Sequence, residues 1–588
     1  MSDSELSDAS HGDEKLPPEC WQLIFKHIKE EDLKTVSLVC KNFLAYSNLI
    51  KESLDVIHPN VKMLSQHLKR FTQLKTLFLT HFQGDFNEAL CEIARSGITL
   101  EAFHSLHRIF GPSTIMIKIE SLRELGSNPN RNKLKVLSCD WMSNLPDNDL
   151  VVIANSFANL EELTLKGKFA EGNSPLKFPS YTDKGIESLA SKLKLLKRIH
   201  LYGRDMNGVS DESVVALSMN CAFLGDFTII IEGNHGVTEH GIGLLLRNRP
   251  NLETLCIGYI KNYSSQITIA NSIRHAKALT YLWLCAMQVS DELLMTIAEA
   301  IKLPLELTIV HCKGYTVLGL LSVLSNCLTQ FDTALSNFLD EDIKFLFNKD
   351  AGQLTQINIS ECQVTSSTFF QLLTKCCSLQ HIRMESATLD VVGENNIPLP
   401  KYHKIKIFRL ESGNISDELV KQFGFMFPNL EVLELSLCQG VTIQGIEAIL
   451  KSCKVIRKLI LESYQKTVII KSNSDLPKVG LKVLKLATSC IDNEGLDAIS
   501  KKCPQLLSVD LDHCKKVTTE GIKQMVEDNK TLRKLKVRNC DLVDYGDLLE
   551  WKLSRANLAS LKKLCLGKGK FSKEQRDQFL HHGCLLVE

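Results

Sequence analysis

The sequence predicts an α/β fold in which a repeat solenoid, curved as a horseshoe, follows a small all-helical module. Three observations support this prediction. One apolar phrase recurs at intervals of 25 or 26 residues in the C-terminal part of the 588-residue chain, and weaker copies precede it. The N-terminal segment lacks that phrase and spaces its apolar residues as a helix does. No stretch of the sequence reaches the roughly 18 consecutive apolar residues that a membrane span requires.

The repeated phrase is clearest in three segments. They read NLEVLELSLCQGVTIQGIEAILKSC from Asn429, GLKVLKLATSCIDNEGLDAISKKC from Gly480 and QLLSVDLDHCKKVTTEGIKQMVEDN from Gln505. Leu481 and Leu506 hold equivalent places 25 residues apart. This spacing and the apolar pattern resemble leucine-rich repeats of the cysteine-containing subclass. We predict that such repeats, roughly 18 of them, fill residues 58–588.

Each half of the phrase predicts one structural element. Leu433 and Leu435 alternate as on a short strand with one buried face. Ile446 and Ile449 lie three residues apart and therefore on one face of a helix. Thr442 precedes that helix, where threonine is a favoured N-cap. Since one unit cannot bury its own apolar faces, stacked units are expected to build a continuous core.

The 20 cysteines predict neither disulfides nor a zinc site. They fall at repeat positions, and the sequence has no Cys-x-x-Cys pair. Residues 1–15 are acidic and polar, which predicts a disordered tail and not an export signal. The thiols are therefore expected to stay reduced, in the nucleus or the cytoplasm, and to pack as small hydrophobes. We predict no metal ion and no cofactor.

Residues 16–57 form the predicted helical module. Pro17 and Pro18 suit the start of a helix, where a missing N–H is tolerated. Asp32 can cap a second helix. The apolar stripe of the first helix consists of Trp21, Ile24, Phe25 and Ile28. So short a segment buries little core alone, and we expect it to lean on a neighbour or on another protein.

The order of motifs in this module resembles an F-box. Leu16-Pro17 comes first, Asp32-Leu33 follows, and Leu38-Val39-Cys40-Lys41 comes last. The resemblance implies docking onto a Skp-family adaptor, which joins F-box proteins to a cullin scaffold and its RING subunit. It implies an adaptor-facing surface, or its supporting core, made of Leu16, Pro17, Ile24, Ile28, Leu33, Val39 and Cys40. The alternative is a plain helical cap for the repeat array.

The repeat phase predicts which side chains face away from the core. The middle residue of Leu-x-Leu and the residue two positions later point to the open, concave face of the sheet. By this rule Thr228 and Cys256 also lie on the open face. Tryptophan and arginine are frequent in binding hot spots, and a basic stretch at 401–406 suits an acidic or phosphorylated segment. The candidates for substrate binding are His200, Tyr202, Trp283, Arg383, Arg409, Lys485, Lys536 and Arg538.

These features predict the substrate-recognition subunit of an SCF-type (Skp-cullin-F-box) ubiquitin ligase, which promotes protein degradation. The sequence contains no phosphate-binding loop, no His-Glu-x-x-His and no Gly-x-Ser-x-Gly, so we predict that the chain is not an enzyme. Its contribution would be to hold an unknown protein substrate close to the transfer enzyme. The net charge of +1 argues against nucleic acid and anionic membrane as partners.

Two alternatives stay open. The length and layout resemble those of plant F-box hormone receptors, in which loops roof a small-molecule pocket. Interruptions of the repeat at residues 167–180, 386–401 and 463–479 would supply such loops. The other alternative is a leucine-rich-repeat scaffold without any role in a ligase.

Overall fold

The chain forms two compact units, Met1–Leu279 and Thr280–Glu588. A computed structural model describes residues 16–28, 33, 36, 37, 39–56, 61–79, 82, 85–105, 118–127, 133–140, 145–166, 181–261, 268–325, 328–334, 338–348, 351–360, 364–385, 387–391, 400–411, 413, 415–438, 440–462, 478–554, 560–567 and 572–587. None of the helices in this part of the chain combines the length and the apolar character that a membrane crossing requires.

Within its described residues, the first unit begins with the helices α1 (Pro18–Lys26) and α2 (Lys41–Leu49). As predicted, a proline occupies the first turn of α1. Helix α2 starts after Cys40, whose sulfur accepts a hydrogen bond from the Phe43 backbone N–H at 3.4 Å. The two helices pack against each other.

The rest of the first unit alternates parallel strands and helices. Each strand pairs in parallel with the next, from β1 to β8. The elements are β1 (Ser53–Asp55), α3 (Val61–Arg70), β2 (Thr76–Phe78), α4 (Phe86–Arg95), β3 (Ala102–Ser105), α5 (Ile119–Ser127), β4 (Val136–Asp140), α6 (Asp147–Ser156), β5 (Glu162–Lys166), α7 (Asp183–Lys192), β6 (Arg198–Arg204), α8 (Asp211–Asn220), β7 (Asp226–Glu232), α9 (Glu239–Asn248), β8 (Thr254–Gly258) and α10 (Ile269–Ser272).

The second unit repeats the same alternation. Its strands β9 to β21 also pair in parallel, each with the next. The elements are β9 (Tyr281–Cys285), α11 (Asp291–Ala300), β10 (Leu305–Val310), α12 (Val317–Leu324), β11 (Leu328–Ala334), α13 (Asp340–Leu346), β12 (Gln356–Ser360), α14 (Ser366–Lys375), β13 (His381–Glu385), β14 (Ile407–Glu411), α15 (Asp417–Met426), β15 (Val432–Ser436), α16 (Ile443–Ser452), β16 (Lys458–Glu462), β17 (Val483–Lys485), α17 (Asn493–Lys502), β18 (Ser508–Asp510), α18 (Thr519–Asp528), β19 (Lys534–Val537), α19 (Tyr545–Ser554), β20 (Lys563–Leu566), α20 (Lys573–His581) and β21 (Leu585–Val587).

This alternation confirms the predicted α/β repeat fold. On β14 and β15, for example, every second side chain is buried and the residues between them face outward. Leu433, Leu435 and Ile449 are buried as the phrase predicts. The parallel pairing begins at Ser53–Asp55, ahead of residue 58, where the sequence pattern places the first repeat. The pattern does not predict this short strand because the strand does not carry the repeated phrase.

Among the described residues, a set of carboxylates, which we call the ladder, links six helix starts to the next repeat. Asp211, at the first position of α8, accepts two hydrogen bonds from Thr238, the N-cap of α9: the backbone N–H and Oγ1 both donate at 2.7 Å. Thr238 Oγ1 in turn accepts from the His240 backbone N–H at 3.1 Å. Five further copies of this arrangement join Asp147 to Thr182, Asp183 to Ser210, Asp291 to Thr316, Asp340 to Thr365 and Asp417 to Thr442.

The ladder explains the glycine three residues after the cap. The Gly445 backbone N–H donates to Asp417 Oδ1 at 3.1 Å, and a Cβ at Gly445 would lie 2.6 Å from that oxygen. Where the glycine is replaced, the new side chain donates to the carboxylate, as Thr368 Oγ1 does to Asp340 Oδ2 at 2.9 Å. The helix starts are thus fixed by inter-repeat hydrogen bonds as well as by apolar packing.

The repeat cysteines fill the core. Cys453, Cys503 and Cys514 are buried free thiols, and burial raises the pKa of each to about 12. Cys453 Sγ donates to the Phe427 carbonyl oxygen at 3.5 Å. These thiols therefore stay protonated at neutral pH and pack as small apolar groups.

Candidate protein-interaction site

Four aromatic rings make the core of the helical module. Phe25 is 2% exposed and lies 5.1 Å, centroid to centroid, from Phe43. Trp21 lies 4.8 Å from Phe43, and Tyr46 lies 6.3 Å from Phe25. Trp21, which the sequence places on the apolar stripe of α1, is therefore drawn into internal packing. With these rings turned inward, the aliphatic residues of the module lie outside the core.

Five large aliphatic side chains of the module are exposed. Leu23 is 60% exposed, Ile24 is 43% exposed and Val39 is 67% exposed, and Leu16 and Leu49 follow at 45% and 41%. Isolated exposed apolar residues are common, but five on so short a segment suit a protein contact. Of the other residues that the resemblance implicates, Pro17 and Cys40 are exposed, whereas Ile28 and Leu33 are half-buried.

Sequence reasoning missed Leu23. It lies beside Ile24 on α1 and is more exposed than Ile24. The signal was present in the sequence, since a helix that buries Phe25 turns the residue two positions earlier away from the core. The exposed surface of α1 thus includes at least two adjacent aliphatic residues.

On the first unit, the open face of the sheet brings His200 and Tyr202 together on β6. Their ring centroids are 6.4 Å apart. His200 Nε2 lies 3.2 Å from Asp226 Oδ1, and His200 Nδ1 lies 3.4 Å from Thr164 Oγ1. The histidine is therefore held by the neighbouring strands. The prediction that Thr228 and Cys256 lie exposed on the open face is wrong, because they are only 3% and 9% exposed. The strands that carry them, β7 and β8, are buried on both faces.

On the second unit, the strand register aligns one row of residues on the open side of the sheet, although Ile460 and Asp510 in this row are buried. Trp283 is half-buried and begins this row on β9. Each member pairs in register with the next, and the row runs Trp283, Thr308, Asp332, Asn358, Arg383, Arg409, Glu434, Ile460, Lys485, Asp510 and Lys536.

A polar pocket of about 290 Å³ lies on this face between β9 and β14. Glu306 and Asp332 line one side, and burial raises the pKa of both carboxyl groups. Asn358 Nδ2 donates to Asp332 Oδ1 at 2.7 Å, while Asn358 Oδ1 has no hydrogen-bond partner among the described residues. Arg383 and Arg409 line the other side. The pocket offers acceptors and donors on opposite sides, which suits a polar peptide segment.

Both arginines of this pocket are held by glutamates. Arg383 Nη2 lies 3.3 Å from Glu411 Oε2. Arg409 Nε lies 3.3 Å from Glu434 Oε2, without the geometry of a hydrogen bond. An acidic segment would have to displace these glutamates to reach Arg383 and Arg409. In the basic stretch before β14, Lys401 lies over the ring of Phe425 at 4.8 Å.

The remaining candidates lie near the C-terminal end of the sheet. Lys536 Nζ lies 2.7 Å from Asp510 Oδ2. Arg538 forms a closer association with Asp512: its Nη2 and Nε donate at 2.6 and 2.9 Å, and its backbone N–H donates at 2.8 Å. Lys485 pairs in register with Asp510 on the opposite side from Lys536. The structure thus brings Lys485, Lys536 and Arg538 onto one surface.

The loops that the sequence predicts at interruptions of the repeat are not tested by the structure. The interruption at 167–180 lies outside the described residues, as do most of those at 386–401 and 463–479. Within the described part of the chain, no three His, Cys, Asp or Glu side chains come together in a way that could hold a metal ion.

One family model matches the helical module. Residues 14–49 match the family model described as F-box domain, which confirms the resemblance carried by the motifs of the module. A solved structure described as the complex of Rad7 and Elc1 in yeast is similar at 13% identity, with 86% of this chain and 90% of that chain covered and a TM-score of 0.35. The match at residues 14–49 shows that the chain carries an F-box domain, and the chain's own parallel-strand repeats follow it.

Proposed function

We propose that this chain is the substrate-recognition subunit of an SCF-type ubiquitin ligase. The observation that carries the proposal is the F-box match at residues 14–49, whose aliphatic side chains are exposed around an aromatic core. F-box domains bind an adaptor, and F-box proteins are in general non-catalytic. The proposed partners are a Skp-family adaptor and, through it, a cullin and its RING subunit.

The exposed aliphatic residues supply a physical reason for adaptor binding. Burying a side chain the size of leucine or valine against a partner contributes about 1.5–3 kcal/mol. Leu23, Ile24 and Val39 together would therefore form the apolar centre of the contact, with Leu16 and Pro17 beside it. The aromatic core holds these side chains in place before the partner arrives, which lowers the entropic cost of binding.

The repeats would hold the substrate. Their open face presents polar and charged side chains in register, as protein-binding surfaces of solenoids do. Proximity is the proposed contribution: lysines of the held substrate meet the transfer enzyme at high effective concentration. We also propose His200, Tyr202 and Trp283 as contact residues on this face.

The test is recovery of the adaptor from cells. Wild-type chain and a Leu23→Glu/Val39→Glu variant are tagged and purified, and adaptor and cullin are quantified by mass spectrometry. The matched control is Met219→Glu/Leu318→Glu, which adds the same charges at two other exposed aliphatic positions. We expect the first variant to lose the adaptor and the control to keep it.

Two results would contradict the proposal. If the wild type recovers no adaptor, the module is only a cap, and the scaffold alternative holds. If the Leu23→Glu/Val39→Glu variant keeps the adaptor while its thermal unfolding matches the wild type, these side chains do not form the contact. A ligand that changes which proteins are captured, with adaptor recovery unchanged, would instead support the small-molecule alternative.

A further inference from the structure

The C-terminal part of the second unit's sheet carries a concentration of positive charge. Its outward cations lie on β16, β17, β19 and β20 or, for Arg538, directly after β19. We call them the basic surface: Lys458, Lys485, Lys534, Lys536, Arg538 and Lys563. Arg457, Lys482, Arg533 and Lys562 are exposed at the starts of the same four strands and extend this charge to the edge of the sheet.

Carboxylates neutralise only part of the basic surface. Asp510 and Asp512 are nearly buried. Asp510 forms an ion pair with Lys536, and Asp512 forms one with Arg538. Lys485, Lys534 and Lys563 form no ion pair with a described carboxylate, although all three are at least partly accessible to solvent. These three lysines therefore keep their charge available to a partner.

The arrangement has a cost for the isolated chain. Lys534 and Lys563 are paired in register on adjacent strands, where like charges destabilise a sheet. Burial and the neighbouring Lys536 and Lys563 lower the pKa of Lys534. A fold under no demand to bind anions would gain stability by placing a neutral residue at one of these positions.

We propose that the basic surface binds an acidic segment of a protein partner. Adjacent strands are about 4.8 Å apart, so Lys485 on β17, Lys534 on β19 and Lys563 on β20 span roughly 14 Å across the sheet. An extended peptide places side chains on one face about 6.8 Å apart, so three alternate acidic residues span the same length. Charge complementarity then provides both attraction and orientation.

An acidic polypeptide fits this surface better than a nucleic acid. Proteins that bind single strands usually stack bases on aromatic side chains, and none of the described outward residues on β16 to β20 is aromatic. Asp510 and Asp512 also lower the net positive charge that a continuous run of phosphates would meet on this surface. The proposal names a substrate class for the proposed ligase receptor, but the binding itself does not depend on the adaptor.

The experiment measures binding of purified full-length chain to a fluorescein-labelled peptide of alternating Glu and Ser by fluorescence anisotropy. The test variant is Lys485→Gln/Lys534→Gln/Lys563→Gln. The matched control is Lys302→Gln/Lys454→Gln/Lys530→Gln, which removes the same charge from exposed sites outside the strands. We expect the test variant to weaken binding at least about tenfold and the control to change it less than about twofold. The affinity of the wild-type chain for the peptide should decrease as NaCl is raised from about 50 mM to about 300 mM.

Several outcomes would overturn the proposal. Equal weakening by both triple variants would mean that only net charge matters. An unchanged affinity in the test variant would place the peptide elsewhere. Tighter, lysine-dependent binding of a single-stranded RNA of equal charge would assign the surface to nucleic acid. A Lys→Arg version of the test variant should restore binding, which separates loss of charge from loss of fold. Adaptor recovery, measured separately, reports on the proposed ligase role.

Discussion

Two stretches of the second unit's sheet use charge in different ways. Between β13 and β15, each arginine of the row meets a glutamate: Arg383 meets Glu411, and Arg409 meets Glu434. Between β16 and β20, cations outnumber carboxylates, and Lys485 and Lys534 are left without a described ion-pair partner. The comparison separates charges that satisfy one another from charges that are kept for a ligand.

The two stretches also differ in how deeply their ion pairs are buried. The Glu411 side chain is 37% exposed in its pair with Arg383, whereas the Asp512 side chain is 8% exposed in its pair with Arg538. Exposed pairs contribute little to stability, and removing one partner of a buried pair is costly. The basic surface therefore contains two kinds of cation. Lys536 and Arg538 stabilise the fold through ion pairs with nearly buried aspartates, whereas Lys485, Lys534 and Lys563 can contact a ligand.

The largest expected effect is on the buried pair. Asp512→Ala removes the acceptor of three hydrogen bonds from Arg538, including one from its backbone N–H. We expect the free energy of unfolding to fall by about 2–4 kcal/mol. Glu411→Ala, the matched change in the exposed pair, should cost less than about 1 kcal/mol. Urea unfolding followed by circular dichroism measures both, and equal costs would remove the distinction drawn between the two stretches.

The next effect concerns the helix starts beneath both stretches. In the stretch from β13 to β15, Asp417 accepts a hydrogen bond from the backbone N–H of Thr442, the N-cap of the next helix. In the stretch from β16 to β20, Asn493 takes the place of the aspartate, and its Oδ1 accepts from the Thr518 backbone N–H at 3.0 Å. Asp417→Ala should lower the free energy of unfolding by about 1–2 kcal/mol. Because Asn493 shows that an amide can serve, Asp417→Asn should retain most of that stability in the same urea measurement. A cost for Asn as large as that for Ala would mean that the charge itself is required.

A smaller effect of opposite sign is expected at Lys534. Since its like-charged neighbour Lys563 lies directly across on β20, Lys534→Gln should raise the free energy of unfolding by about 0.5 kcal/mol or less. The same change should weaken binding of the acidic peptide. Arg383→Gln, which loses an attractive contact with Glu411, should lower stability by a similar amount. Thermal unfolding at low salt distinguishes the two signs, and a loss of stability at Lys534 would show that repulsion there is unimportant.

The smallest effect is a pH dependence at His381, which lines the pocket between β9 and β14. Burial, and then the charges of Arg409 and Lys406, lower the pKa of His381 below its usual 6.5. Between the two pKa values the unfolded chain binds more protons, so stability is fully present above about pH 6.5 and declines as pH falls through the folded pKa. His381→Gln should flatten this part of the profile of melting temperature against pH. An unchanged profile would assign the acid sensitivity to other groups.

Much of the fold follows from residues that repeat. Leu433 and Leu435 specify a strand face and Thr442 a helix start because each acts within its own repeat. The ion pairs were harder to foresee, since Asp510 and Lys536 lie 26 residues apart and meet only through the register. A comparison of charges one repeat length apart would have found them. The burial of Thr228 and Cys256 depends on tertiary packing, which the pattern does not carry. The exposure of Leu23, in contrast, follows from its position two residues before the buried Phe25 on α1.

The inter-repeat ladder has an evolutionary consequence. Asp417 belongs to one repeat and accepts hydrogen bonds from Thr442 of the next. A repeat of this kind therefore contributes a threonine to the joint with the preceding repeat and an aspartate to the joint with the following one. Deletion or duplication of a whole repeat restores a matching aspartate–threonine joint at the new junction. A change of only a few residues leaves a carboxylate and a cap out of phase. The array can therefore grow or shrink in evolution by complete repeats, which would change the length of its binding face without redesign of the core.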